Sequence, residues 1–161
     1  IGSERLDQVP TKERVRLGVA LVPEGRRLFA DLTVRDNLEV GGYSQPKENI
    51  SHNLERVLTM FPRLGERLKQ ESGLLSGGEQ QRVAIARAFA SEPAILFADE
   101  PTGNLDAKTG AHITELLFSL NRDKGTTLVL VTHEQGLADH CQRVFEMYDG
   151  ELSELQRQCP C

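Results

Sequence analysis

Apolar positions along the chain follow two patterns, short continuous runs and longer stretches with helical spacing. Continuous runs predict strands that are covered on both faces, and they lie at Leu17–Val22, Ala94–Ala98 and Thr127–Val131. Helical spacing predicts α-helices at Thr33–Val40, Ile50–Met60, Arg63–Lys69, Glu79–Phe89 and Thr109–Arg122. Strands that alternate with helices are typical of an α/β fold with a parallel sheet.

Polar and turn-forming residues predict the remaining elements. Residues 1–14 are polar and are expected to be irregular. Asp36 follows Thr33 by three residues, which is the spacing of a helix N-cap. Gly136–His140 is expected to form a short helix, and Asp149-Gly150 is a turn of hairpin type. Since residues 31–72 contain no strand pattern, we expect a helical insert there.

Composition narrows the class of protein. The 161 residues carry 19 Lys plus Arg and 24 Asp plus Glu, a formal net charge of −5. This acidic balance excludes the basic footprint of a nucleic-acid binder. The longest uncharged apolar run, Thr126–Thr132, is too short to span a bilayer, and no signal peptide is expected. Cys159-Pro160-Cys161 is predicted to be a tail rather than half a metal site.

Acidic and imidazole side chains follow the three predicted strands. Glu24 comes after the first, Asp99 and Glu100 after the second, and His133 after the third. Ligands of open parallel sheets bind beyond the carboxyl ends of the strands. One of two adjacent acids can hold Mg²⁺ while the other polarises a water. The alternative is a pair of solvated acids before a loop.

The most specific pattern is Leu75–Gln81, Leu-Ser-Gly-Gly-Glu-Gln-Gln. Ser76 and Glu79 have the spacing of a capping box. Gly77 and Gly78 would let a phosphate approach the amide groups of a helix N-terminus. The alternative is an ordinary capped helix that follows a glycine turn.

Together these motifs resemble the ATP-binding subunits of ABC transporters. Leu75–Gln81 resembles their signature motif, and Ile95–Asp99 followed by Glu100 resembles Walker B with its catalytic glutamate. Asn104-Leu105-Asp106 resembles the D-loop and His133 the switch histidine. Glu24 falls at the Q-loop position, where the family usually has glutamine.

The resemblance implies ATP and Mg²⁺ as cofactors and a role for each matched residue. Asp99 would hold Mg²⁺ with Glu24 nearby, Glu100 would polarise the attacking water, and His133 would contact the γ-phosphate. The remaining residues would act at the nucleotide of a second subunit, in a head-to-tail dimer; they are Ser76, Gly77, Gly78, Glu79 and Asp106.

The resemblance also implies partners, a location and a division of the chain. Leu28–Leu64 would face an ABC membrane subunit at the cytoplasmic face of the inner membrane, and Glu24 would couple the site to that partner. The expected regions are 1–30 with the first core strand and Q-loop, 31–75 as helical subdomain, 76–155 as ABC core, and 156–161 as tail.

The family's P-loop pattern, G-x-x-x-x-G-K-[ST], does not occur in the 161 residues. We therefore expect a partial P-loop NTPase sheet whose cut edge is rearranged or completed by oligomerisation, because unpaired edges pair with other chains. We also expect ATP binding and hydrolysis by this chain alone to be weak or absent, because the P-loop supplies most of the phosphate contacts.

Two branches of the family are represented in the motifs. Val22–Phe29 and Phe61–Leu64 resemble the ATPase of branched-chain amino-acid importers, whereas Phe97–Asp106 and Leu117–Arg122 resemble the lipoprotein-release and macrolide-export type. A change near residues 72–76 suggests a chimera of two genes. A single divergent gene is the alternative. Ile1-Gly2-Ser3 matches neither branch and is typical of sequence added during cloning.

Three other functions remain open at this point. A second chain could supply the P-loop and restore a competent ATPase. The chain could instead be a non-enzymatic folded fragment or an interaction and oligomerisation module. DNA-repair and chromosome ATPases share these motifs, but the absence of long heptads disfavours them.

Arg26 and Arg27 could contact phosphate, although adjacent loop arginines are expected to be solvated.

Overall fold

Three parallel strands form the central sheet of the computed structural model, which describes residues 5–155 apart from the side chain of Lys47. The strands are β1 (Val19–Val22), β2 (Ile95–Asp99) and β3 (Thr127–Val131), in the order β1-β2-β3. Val22 pairs with Ala98 and Asp99 with Val131, so the carboxyl ends are level. The predicted α/β fold with a parallel sheet is confirmed.

The helices match the predicted periodic segments, with two differences. The bounds of the described helices are α1 Thr11–Arg16, α2 Val34–Gly41, α3 Ile50–Met60, α4 Pro62–Gly65, α5 Gly77–Phe89, α6 Ala107–Lys124 and α7 Gln135–Ala138. Short 3₁₀ turns lie at Leu6–Gln8, Lys47–Asn49 and Ser72–Leu74. The Thr33 N-cap is confirmed, since its side chain accepts from the Asp36 amide.

The first difference concerns the start of the chain. Residues 5–14 are not wholly irregular, because α1 begins at Thr11. The first strand begins at Val19 rather than Leu17, because the Leu17 amide still bonds the Glu13 carbonyl and Gly18 turns the chain at φ 83°.

The second difference concerns the predicted helix Arg63–Lys69, which ends at Gly65. The following backbone serves α2 instead. The Leu68 and Gln70 carbonyls accept from Arg35 and Val34 at 3.0 and 2.9 Å. These are first-turn amides, which have no partner within their own helix.

The core lies between α5, α6 and one face of the sheet. Val22, Leu96 and Ala98 are buried there with Ile85 of α5 and Ile113 of α6. Burial on both faces was predicted for all three strands, and this is wrong for β1 and β3, where Leu21 is 58% and Val131 54% exposed. These side chains lie on the face opposite to the one that α5 and α6 cover. Every residue of β2 is buried or half-buried. Completion of the sheet by another chain stays a prediction.

A second compact unit begins at Thr132 and contains α7 and a hairpin. Its strands are β4 (Phe145–Tyr148) and β5 (Glu151–Glu154), which pair antiparallel. Asp149 and Gly150 both have positive φ, 48° and 82°, as a hairpin turn of type I′ requires. The predicted hairpin is confirmed. The division into regions 1–30, 31–75, 76–155 and 156–161 stays a prediction, and the tail lies outside the described residues, as does Ile1-Gly2-Ser3.

Candidate functional site

The acidic pair lies where β2 ends. Asp99 is the last residue of the strand, and the Glu100 amide donates to the Val131 carbonyl at 2.9 Å. Glu100 has φ 43°, in the left-handed region that residues with side chains rarely adopt. Such strain is typical of functional sites. The chain therefore turns sharply between the two carboxylates.

Glu24 lies at the same edge of the sheet. It follows Val22 by two residues, as Glu100 follows Ala98, and Val22 and Ala98 are paired across β1 and β2. Its side chain is exposed. The sheet thus brings Glu24, Asp99 and Glu100 to one edge.

The carboxylates at this edge provide some of the oxygen ligands that Mg²⁺ needs, but not all of them. Within residues 5–155 there is no group of three or more Asp, Glu, His or Cys that could hold a metal ion. Mg²⁺ commonly uses one or two carboxylates together with phosphate oxygens and waters. Asp99 and Glu24 therefore fit a Mg²⁺ that arrives with a nucleotide, and they do not form a complete cage.

The N-terminus of α5 carries the predicted capping box, which is confirmed. The Glu79 amide donates to Ser76 Oγ at 3.4 Å, and the Ser76 amide and hydroxyl donate to Glu79 Oε2 at 2.9 and 2.7 Å. The other carboxylate oxygen of Glu79 pairs with Arg67 at 3.0 Å. Chiefly through the Ser76 hydroxyl, and next through the Ser76 amide, these bonds lower the pKa of Glu79.

The two glycines of this motif have packing roles that the sequence pattern did not predict. A Cβ on the buried Gly78 would lie 2.5 Å from Thr109 Cγ2 in the first turn of α6. A Cβ on Gly77 would lie 3.1 Å from Arg26 Nη2. Their small size therefore lets α5 approach α6 and the loop that follows β1.

Asp106 is the N-cap of α6, where its carboxylate accepts from the Thr109 amide at 3.0 Å. The contact with Thr109 lowers the pKa of Asp106. Thr109 contacts both Asp106 and Gly78. The Asp106 loop, residues 100–106 between β2 and α6, therefore lies next to Gly78 at the N-terminus of α5. Within the first unit, the structure thus brings the Ser76–Gly78 segment and Asp106 together.

Arg26 was expected to be solvated, and this is wrong. It is half-buried, and its guanidinium donates to Gln80 Oε1 and to the Asn104 carbonyl, both at 3.4 Å. Arg27 is exposed, as expected. Two adjacent loop arginines carry no sequence signal that distinguishes one from the other.

Asn37 is a second residue that the sequence analysis missed. It is fully buried on α2, and its amide group donates to the Phe29 carbonyl and to Ser72 Oγ, both at 3.0 Å. The Phe29 amide donates back to Asn37 Oδ1 at 3.0 Å. Asn37 thus joins the loop after β1 to the segment before Ser76. A polar residue on the apolar face of α2 was the available signal.

His133 belongs to the second unit, and its side chain is exposed. It follows β3 by two residues in the sequence. Its predicted contact with the γ-phosphate stays a prediction.

The α/β fold described above is that of an ATP-binding cassette. The chain belongs to the ABC transporter family, whose sequence model matches residues 1–103. None of the helices within residues 5–155 is long and apolar enough to cross a membrane.

The chain is similar to members of both branches named above. It is 53% identical over 159 residues to the lipoprotein-releasing system ATP-binding protein LolD of Xylella fastidiosa, covering 96% of this chain and 66% of that protein. It is 43% identical over 150 residues to the high-affinity branched-chain amino acid transport ATP-binding protein BraG of Pseudomonas aeruginosa, covering 92% and 64%.

A solved relative has the same fold. The ATP-binding cassette MJ0796, in a dimeric post-hydrolysis state bound to ADP and Pi, matches with a TM-score of 0.78 and 31% identity, over 98% of this chain and 73% of that one. Curated relatives are longer than this chain, which spans 40% to 66% of the length of those compared with it.

Proposed function

We propose that this chain is the part of an ABC transporter ATP-binding subunit that supplies the signature motif and the acidic end of the Walker B strand. The geometry at the N-terminus of α5 carries this proposal. First-turn amides have no partner within their helix and favour anions. Ser76 caps this end, and the contact between Gly78 and Thr109 places it beside the Asp106 loop.

Each site residue has a role in this proposal. Asp99, assisted by Glu24, would hold Mg²⁺, which neutralises phosphate charge when bound. Glu100 would polarise the attacking water and His133 would contact the γ-phosphate. The residues at the α5 and α6 N-termini would meet ATP held by a second subunit; they are Ser76, Gly77, Gly78, Glu79 and Asp106.

We further propose that the 161 residues alone bind and hydrolyse ATP weakly or not at all. They contain no P-loop pattern, and a P-loop supplies the backbone amides and the lysine that surround the β- and γ-phosphates. The strand-end acids supply negative charge, which does not attract a nucleotide. An intact P-loop on a second subunit would hold the nucleotide that the signature residues of this chain meet.

The relatives support a proposal about partners and location. MJ0796 is dimeric in its solved structure, LolD is named for a lipoprotein-releasing system and BraG for branched-chain amino acid transport. We propose that this chain pairs with a second ATP-binding subunit and acts beside an ABC membrane subunit at the cytoplasmic face of the membrane. Family membership favours this function over a non-enzymatic interaction module.

A chimeric origin is part of the proposal. The comparisons do not divide the chain between the two branches, because a relative from each branch matches more than nine tenths of it. The chimeric origin therefore rests on the motifs of residues 22–64 and 97–122. Mapping the coding sequence to genomic loci tests it. Two source loci that join near residues 72–76 are expected, and one contiguous natural reading frame would rule out a fusion.

The function is tested by adding the chain to a full-length subunit of the lipoprotein-releasing type whose own signature serine is replaced by arginine. ATP turnover is expected to rise with the wild-type chain and not with Ser76→Arg. The matched control is Ser153→Arg, an exposed serine on β5 that should retain the stimulation. Formation of the complex with no rise in turnover would contradict the proposal and favour a non-enzymatic module.

A further inference from the structure

The loop after β1 has an unusual backbone. Gly25, Arg26 and Arg27 all have positive φ, at 71°, 66° and 42°. Glycine adopts this region freely, whereas a residue with a Cβ is strained there and persists only where its surroundings hold it. The contacts made by Arg26 and Arg27 therefore have to explain why the strained backbone of this loop is maintained.

The Arg26 side chain joins two other segments. Nη1 donates to Gln80 Oε1 on the first turns of α5, and Nη2 donates to the carbonyl of Asn104 in the loop after β2. The guanidinium also covers Gly77, where any Cβ would lie 3.1 Å from Nη2. At 3.4 Å each bond is long for its type, so neither acceptor alone accounts for the conformation.

The main chain of Arg26 is held as well. Its carbonyl accepts from Arg87 Nη2 at 3.3 Å, and Arg87 is fixed in turn over the Phe29 ring, 5.7 Å from the centroid. Arg87 is half-buried, and this burial lowers its pKa. Residue 26 is thus tied to the beginning of α5 through Gln80 and to its end through Arg87.

Simple charge attraction does not explain this arrangement. The N-terminus of a helix is its positive end and disfavours a nearby cation. The Glu79 carboxylate in the first turn of α5 is engaged by Ser76 and Arg67. The position of Arg26 is therefore set by the fork geometry of its guanidinium and by the strained backbone that presents it.

We propose that Arg26 is a positioning residue that couples the loop after β1, which contains Glu24, to the signature motif and to the Asp106 loop. The proposal rests on the proposed function, because the coupled segments are those that would meet the nucleotide. A displacement of the loop after β1 would reach Gln80 and Asn104 through one side chain. Arg27, its exposed neighbour in the same left-handed region, lacks these contacts in the described hydrogen-bond network.

The first test measures amide hydrogen exchange in the chain itself. Arg26→Gly removes the side chain and relieves the strain, and Arg27→Gly relieves strain without touching the contacts. Exchange at the amides of Gln80 and Leu105 is expected to rise about fivefold in Arg26→Gly, the effect of one net hydrogen bond. It should be unchanged in Arg27→Gly and partly restored in Arg26→Lys. Equal exchange in both glycine variants would overturn the proposal.

The second test uses the stimulated turnover of the two-subunit mixture. Arg26→Gly is expected to lower kcat several-fold with the KM for ATP unchanged, because the nucleotide is held by the other subunit. A change in KM alone would overturn a positioning role. If the wild-type chain gives no stimulation, the proposed function fails, and the exchange experiment still decides whether Arg26 couples the two loops.

Discussion

Gly78 and Thr109 lie so close that a Cβ on residue 78 would stand 2.5 Å from the Thr109 Cγ2 atom. This contact is where the first turns of α5 and α6 meet. Real Cβ atoms do not approach so closely, and the χ1 angle of a β-branched threonine is stiff. The second glycine of the signature is therefore required by packing, independently of any nucleotide.

Gly78→Ala is expected to lower the free energy of unfolding by about 1–3 kcal/mol, the usual cost of overpacking. Thr109→Ser removes the obstructing methyl group and should restore most of this loss in the double variant. Urea denaturation measures all three variants. Gly65→Ala is the control, since its Cβ would meet no atom within 4 Å. If Thr109→Ser gives no rescue, the contact does not set the requirement.

Adjacent glycines at the C-terminal end of α2, its last residue Gly41 and the C-cap Gly42, provide a sharper comparison. A Cβ on Gly41 would lie 2.1 Å from the Arg87 carbonyl oxygen on α5, whereas one on Gly42 would lie 3.6 Å from its nearest neighbours. Gly41→Ala should destabilise by at least about 3 kcal/mol because a backbone atom cannot rotate away. Gly42→Ala should change stability little. Equal thermal midpoints for the two variants would contradict this packing of α2 on α5.

Buried asparagines on two helices should respond in opposite ways to the same substitution. Asn37→Leu would leave the Phe29 amide, the Phe29 carbonyl and Ser72 Oγ without their bonds. We expect a loss of at least about 2 kcal/mol. Asn53 is also buried, but its Nδ2 has no hydrogen-bond partner within residues 5–155. Asn53→Leu should be neutral or stabilising. Similar losses in chemical denaturation would refute the difference.

Acid should weaken the capped N-terminus of α5. The pKa of Glu79 is lowered in the folded protein, chiefly by the Ser76 hydroxyl, from an ordinary value of 4.5. Its ionised form therefore contributes stability that is fully present above pH 4.5 and is lost as the pH falls through the folded value. The stability difference between wild type and Glu79→Gln should shrink over this range. A difference that is constant from pH 6 to pH 3 would contradict this contribution.

Local patterns predicted the elements that local forces determine. Ile50–Met60 and Thr127–Val131 have the predicted bounds, because apolar period and turn residues define them directly. The Ser76–Glu79 capping box was also predictable, since both partners lie within four residues. The helix predicted at Arg63–Lys69 failed beyond Gly65, because its carbonyls bond α2, a tertiary contact that the sequence pattern does not contain.

The candidate site residues also fall into two groups, those that contiguous motifs indicate and those that depend on distant contacts. Asp99, Glu100 and Ser76 were proposed from contiguous motifs, whereas Arg26 and Asn37 bond partners up to 78 residues away. The packing of Gly78 on Thr109 was equally hidden, because it depends on how closely α5 approaches α6. The sequence analysis was therefore limited by contacts between residues far apart in the chain, which local patterns do not contain. Recognition of the residue types was not the limit.

The 161 residues are proposed to supply half of an ATP site and to bind the nucleotide weakly or not at all on their own. Calorimetric titration of the chain with Mg-ATP is the decisive measurement, with Glu100→Gln to prevent turnover. We expect no heat of binding at millimolar nucleotide, or only the unsaturated heat of weak binding. Micromolar affinity, about −8 kcal/mol, would mean that the chain has its own phosphate site and would overturn the proposal.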